Sequence, residues 1–151
     1  MIAIEFDGTR LIGDLKLGAA GLEQDDDLTT CVLVSLFTDR RARADDPLPA
    51  GAGDDRRGWL GDALATIEGD RIGSRLWLLK REKQTNETKR RAITYCREAL
   101  AWLIDDNLAT QIDIAAEWLP DRDGILGVDI VVRRPDGSTH RQSVAVGIGA
   151  V

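Results

Sequence analysis

Apolar and polar residues alternate from the start of the chain, with Ile2, Ile4 and Phe6 interleaved by Ala3, Glu5 and Asp7 ahead of Asp7-Gly8. Period two followed by a turn pair predicts a short strand or extended arm, placed over residues 1–24. Residues 13–21 are small, glycine-rich and weakly periodic, so they are expected to be irregular. Leu28 to Phe37 holds a short apolar run of Val32, Leu33, Val34, Leu36 and Phe37, a pattern shared by central strands and buried helices. Two local features favour a helix. Asp25, Asp26 and Asp27 supply caps and negative charge before it, and Arg40, Arg41 and Arg43 place positive charge beyond it. The aspartates do not make a calcium loop, because no glycine or distal glutamate follows at that spacing.

The clearest helical period spans Asn86 to Asp106, where Ile93, Cys96, Ala99 or Leu100, and Leu103 recur three and four apart. Thr85 or Asn86 can cap its start, and Asn107 can end it in a left-handed conformation. Tyr95 and Trp102 share a side of this helix, slightly off its apolar centre. Beyond it the period falls to two. Ile112, Ile114, Ala116 and Trp118 alternate with Asp113, Ala115 and Glu117, and Val128, Ile130 and Val132 with Asp129, Val131 and Arg133. Asp121-Arg122-Asp123-Gly124 connects these two strands, and Arg134-Pro135-Asp136-Gly137 is a strong turn signal before a third strand over Ser138 to Val146. Gly147 to Val151 is expected to form a small flexible tail. The expectation is a single α+β domain over residues 1–151, with helices covering one face of a C-terminal three-stranded antiparallel meander.

Between the two helical segments, Asp45 to Gly53 has the Pro/Gly content of a surface loop, placed over residues 44–58. It leads into Asp54-Asp55-Arg56-Arg57-Gly58-Trp59-Leu60-Gly61-Asp62, and Gly73-Ser74-Arg75-Leu76-Trp77 follows shortly after. Glycines around a tryptophan suit neither a helix nor a solvated linker, so this segment reads as a shaped loop that fits against something.

Composition narrows the work this loop can do. At 151 residues with a net charge of -6, the chain is one domain long and a poor match for phosphate backbones or anionic membranes. No apolar run approaches membrane-spanning length, and the acidic, alternating N-terminus is unlike a signal peptide, so synthesis and folding in a cytoplasm are expected. Cys31 and Cys96 lie far apart among apolar neighbours and read as free buried thiols. With one histidine and two isolated cysteines, a Cys/His metal set is not supplied.

Catalytic chemistry is thinly supplied as well. Asp54, Asp55 and Asp62, with Glu68 and Asp70 nearby, offer the paired carboxylates that glycosidases use. Asp55 beside Arg56 and Arg57 is more naturally an ionised pair than a general acid. His140 has no serine elbow or cysteine nucleophile at a recognisable spacing. Asp45 to Gly53 lacks the Gly-Lys-Ser/Thr ending of a nucleotide-phosphate loop, and no cofactor is expected. The basic stretches Lys80-Arg81-Glu82-Lys83 and Lys89-Arg90-Arg91 lack the spaced aromatics of a single-strand nucleic-acid groove.

Phe37-Thr38-Asp39-Arg40-Arg41-Ala42, the Asp54 to Asp62 loop, Gly73 to Leu79 and Arg134-Pro135-Asp136-Gly137 together resemble, in order, the Mu-like phage tail proteins of the gene-product-forty-six type. The resemblance covers nearly the whole chain, and its most specific part is the central loop, where Leu60 departs from an expected second tryptophan. It implies a structural baseplate component of a contractile phage or prophage tail, similar to the small wedge protein from which the sheath polymerises. It favours the helix over Leu28 to Phe37. The implied partners are other wedge subunits and the tail tube and sheath, with no nucleic acid, membrane or small-molecule substrate. The implied location is the virion tail baseplate, after synthesis in the host cytoplasm.

Tryptophan and arginine are frequent binding anchors, so Arg56, Arg57, Gly58, Trp59 and Asp62 form the expected interface. Arg75, Trp77 and Trp102 extend it, and His140 and Arg141 lie on a strand whose edge can accept a partner's strand. Two alternatives accompany this expectation. In one, Trp59 folds onto its own core and Arg56 or Arg57 pairs internally with Asp55 or Asp62; in the other, the loop carboxylates serve a lysozyme-like carbohydrate hydrolase of the tail.

Overall fold

The computed structural model describes residues 2–19, 21–22, 28–67 and 69–149. The aspartate cap of residues 25–27 and Glu68 lie outside them. Strands β1 (Ile4–Asp7) and β2 (Ile12–Leu15) form an antiparallel hairpin, followed by the short pair β3 (Leu17–Gly18) and β4 (Gly21–Leu22). The expectation of irregular structure over 13–21 is thus corrected. Main-chain pairing, which needs no apolar side-chain period, organises this segment, and β2 leaves all of its side chains exposed.

Helix α1 (Leu28–Phe37) buries Leu28, Val32, Leu33 and Leu36. A helix apolar on most sides must be enclosed, which is why its pattern resembles that of a strand. Phe37, at its end, stacks on Phe6 of β1 with ring centroids 4.5 Å apart. Helix α2 (Asn86–Leu100) is capped by Thr85, whose hydroxyl accepts the Thr88 N–H at 3.0 Å. Its buried side carries Ala92, Tyr95, Cys96, Ala99 and Leu100. The predicted helix to Asp106 is interrupted at Ala101, and α3 (Trp102–Asp105) completes it before Asn107 takes the left-handed conformation at φ +57°.

Strands β5 (Gln111–Trp118), β6 (Ile125–Arg133) and β7 (Thr139–Gly147) make the antiparallel meander in the order β5-β6-β7. The turn into β7 closes through Gly137 N–H to the Arg134 carbonyl at 3.0 Å, with Gly137 at φ +83°. Leu126, Val128, Ile130, Val132, Val144 and Val146 form the inner face beneath α2. Asp113, Glu117, Asp129, Arg133, Arg141 and Ser143 alternate onto the outer, exposed face. The β1–β2 turn is tied to the β5–β6 connection, because the Arg122 guanidinium donates to the Gly8 carbonyl and to the Thr9 carbonyl at 2.9 Å.

The expected flexible tail is also corrected as far as Gly149. Gly147 belongs to β7 and Ile148 is 1% exposed in the core. The Ile148 and Gly149 N–H groups both donate to the Gly124 carbonyl, at 2.8 and 2.9 Å, and Arg81 N–H donates to the Ile148 carbonyl at 2.7 Å. Buried main-chain groups find partners, and these bonds hold Ile148 and Gly149 against two loops.

Candidate functional site

Three irregular segments, residues 38–46, 54–58 and 73–79, meet between α1 and α2. Their meeting depends on Gly73. It sits at φ +96°, and a Cβ there would stand 2.4 Å from the Thr38 carbonyl oxygen. That close approach lets Ser74 N–H reach the Thr38 carbonyl and Arg40 N–H reach the Ser74 carbonyl, each at 2.9 Å. Leu76 to Leu79 then form a single buried 3-10 turn that drives four apolar side chains into the core.

Two arginine–aromatic stacks organise this region. Arg75 lies over the Tyr95 ring at 4.5 Å, donates to Glu98 Oε2 at 2.7 and 3.1 Å, and grips both oxygens of Asp46 at 2.8 and 2.9 Å. Arg43 completes the cluster by donating to Glu98 Oε1 at 2.7 Å. Burial pushes the Asp46 carboxyl up, but the Arg43 N–H and the Arg75 guanidinium outweigh it and hold the group below its ordinary range. Glu98 behaves alike, with burial opposed and outweighed by the same guanidinium. The second stack places Arg57 over Trp77 at 4.6 Å, with Arg57 also paired to Asp39. Trp77 donates its indole N–H to the Arg40 carbonyl at 2.8 Å.

This arrangement changes the reading of several expected interface residues. Arg75 and Trp77 are 6% and 4% exposed, so both are committed inside the fold. Their burial comes from tertiary contacts that sequence spacing does not carry. Arg56 donates to the Arg43 carbonyl and, at 3.2 Å, to the Ala44 carbonyl, while Asp55 accepts the Arg57 main-chain N–H at 2.8 Å. The Arg56 and Arg57 guanidinium groups are therefore engaged internally with the Arg43 and Ala44 carbonyls and Asp39, while the Asp55 carboxylate that the internal alternative named reaches only the Arg57 main chain. Gly58 turns the chain at φ +112° against Arg41. His140 and Arg141 lie in β7, Arg141 on the exposed outer face.

Trp59 is different. It is 54% exposed, and its ring lies over Gly61, where a Cβ would come within 2.0 Å of the indole. From it runs a strap, described over residues 59–67 and 69–72, that includes a 3-10 turn (Leu60–Leu64) with no buried residue. Leu60, Leu64 and Ile67 are 83%, 81% and 68% exposed. Leaving such aliphatic side chains in water forgoes about 1.5–3 kcal/mol apiece, and with Trp59 four large apolar side chains in one segment are more than ordinary scatter. Leu64 and Ile67, exposed beside Trp59, were not singled out in the sequence. Their spacing from Leu60, four and seven residues on, between Gly58 and Gly69, was the available signal.

The strap borders a groove of about 1000 Å³ whose opposite wall includes Cys31, Val34 and Trp102. Trp102, 36% exposed, is held there by its indole N–H to the Ser35 hydroxyl at 3.0 Å. Asp62 spans the strap's two ends, its Oδ1 accepting the Ile72 N–H at 3.2 Å, while Oδ2 is buried without a hydrogen-bond partner among the described residues. Cys96 is buried and its thiol is pushed up to about 12 by desolvation. Among the described residues no group of three or more His, Cys, Asp or Glu could hold a metal ion, and no helix is long and apolar enough to cross a membrane.

Comparison with known proteins places this geometry in a family. Residues 28–139, from the first residue of α1 to the first of β7, match the family described as Phage protein GP46. The chain is 49% identical over 127 residues to the baseplate protein gp46 of Escherichia phage Mu, covering 83% of each chain. It is 37% identical over 131 residues to the Mu-like prophage FluMu protein gp46 of Haemophilus influenzae, covering 87% of this chain and 86% of that one. With its central loop and the first two strands of the meander inside the matched region, the chain belongs to the GP46 family of phage proteins.

Proposed function

We propose that this protein is a structural, non-enzymatic component of a contractile phage or prophage tail baseplate, contacting wedge subunits and the start of the sheath. The observation that carries the reading is the 49% identity, over most of both chains, to a protein named as a baseplate protein. The geometry supports it in its own terms. A platform ion-paired around Arg75 and stacked at Trp77 presents a strap whose large apolar side chains stay more than half exposed, which is the anatomy of a binding surface. Trp59 is the anchor, preset by its packing on Gly61. Trp102 contributes from the far wall of the groove. The outer face and edge of β7, with His140 and Arg141, offer a second contact through main-chain pairing.

Deleting the coding gene from an inducible Mu-like prophage tests the proposal. The expected result is tails that lack complete baseplates and assembled sheath, restored by the wild-type gene in trans and restored weakly by a Trp59→Ala version that folds normally. Normal, infectious tails after deletion would overturn it.

A further inference from the structure

We propose that the groove beside the strap receives an apolar segment flanked by lysine or arginine, contributed by another subunit of the baseplate. The inference rests on the baseplate reading and specifies the chemistry of the partner. Its apolar half comes from the walls: Leu64 and Ile67 on the strap face a cleft whose other side holds Val34 and Trp102. Its charged half comes from the acids bordering the same cleft. Asp70, Asp105 and Asp106 are exposed, and none takes part in an ion pair among the described residues.

Glu98 also borders the groove but is already satisfied by Arg75 and Arg43. Asp62 lines the same groove, and its Oδ2 is buried without a hydrogen-bond partner among the described residues. Arg40 and Arg71 are the basic side chains on the lining, too few to balance four aspartates. An anionic membrane surface or an acidic helix would meet repulsion where a basic-flanked apolar segment meets attraction.

The test uses the full-length protein and two fluorescein-labelled synthetic helical peptides. One carries leucines three and four apart with lysines between them; the other has glutamate in place of each lysine. Fluorescence anisotropy is expected to show the lysine peptide binding at least about tenfold more tightly, the size of a modest charge-complementarity effect. The double variant Asp105→Lys/Asp106→Lys should abolish that preference, and Leu64→Ser/Ile67→Ser should remove binding. Asp113→Lys/Glu117→Lys, on the outer face of the sheet, should leave both unchanged. All of these positions are partly or wholly exposed, and circular dichroism confirms that each variant is folded.

Equal binding of the two peptides overturns the proposal. So does a loss with the outer-face variant as large as with the groove variant, because attraction would then follow net charge alone. A Leu64-dependent dimer in sedimentation analysis overturns it in favour of a second copy as occupant. Purified tails separate the two readings. A chain with Asp105→Lys/Asp106→Lys that enters tails as well as wild type defeats the groove inference alone, whereas absence of the wild-type chain from tails defeats the baseplate reading itself.

Discussion

Replacing Arg75 with alanine is the sharpest perturbation of the platform that carries the strap. The guanidinium makes four charge-assisted hydrogen bonds to Asp46 and Glu98, and its side chain is only 7% exposed. Removing it strands two carboxylates, 11% and 25% exposed, against α2 and the 38–46 segment. A fully buried pair broken this way costs about 3–5 kcal/mol, and an exposed pair at most about 1 kcal/mol. Glu98 keeps a quarter of its surface in water and Arg43 as a second partner, so the expected loss is about 2–4 kcal/mol, including the stack on Tyr95. For a chain of this size that lowers the melting temperature by roughly 5–12 °C.

The sign of the pH dependence follows from the two carboxylates. Their folded-state values lie below the ordinary 3.8 and 4.5, so their contribution is present above those values and is lost as pH falls through the depressed ones. The stability gap between wild type and Arg75→Ala should therefore be complete above about pH 5 and shrink steadily in acid. Urea melts followed by tryptophan fluorescence at several pH values measure it. A loss under 1 kcal/mol at neutral pH, or a gap that widens in acid, would refute the ion-pair account.

Other consequences are as direct. Gly73→Ala should cost at least about 3 kcal/mol in a urea melt, because the new Cβ meets the Thr38 carbonyl in main chain that cannot swing away. Gly61→Ala should leave stability within about 1 kcal/mol, since the obstructed group is the free end of an exposed indole, yet shift Trp59 emission; an unchanged spectrum would contradict the packed-anchor geometry. Cys96, fully buried with its thiol raised to about 12, should react with Ellman's reagent only as the protein unfolds, and rapid native-state labelling at Cys96 on peptide mapping would contradict its placement.

The C-terminal meander was legible because every strand obeys period two and the Pro-Asp-Gly turn fixes one connection; only ends moved, β7 running Thr139–Gly147 rather than Ser138 to Val146. Helix α2 was legible for the same reason at period 3.6, down to the Thr85 cap. The N-terminal pairs β2 and β3–β4 were missed because their ladders run through glycine and exposed leucine, with no buried face to impose a pattern on the sequence. In the central region the sequence does not show which way the arginine and tryptophan side chains point. Arg57 and Trp77 do meet, but the stack turns inward, since partners such as Asp39 and the Arg40 carbonyl arrive from segments distant in sequence. Trp59 stays outside at 54% exposed, and Leu60, Leu64 and Ile67 following it are more exposed still.

That surface permits the most direct test of the account. Hydroxyl-radical footprinting, read by mass spectrometry, compares Trp59, Leu64 and Ile67 in the isolated protein with the same residues in purified tails. The account predicts rapid oxidation of all three in isolation and at least about tenfold protection in tails, as expected for side chains moving from more than half exposed to a buried interface core. Equal oxidation in both states, with the chain present in the tails, would contradict it.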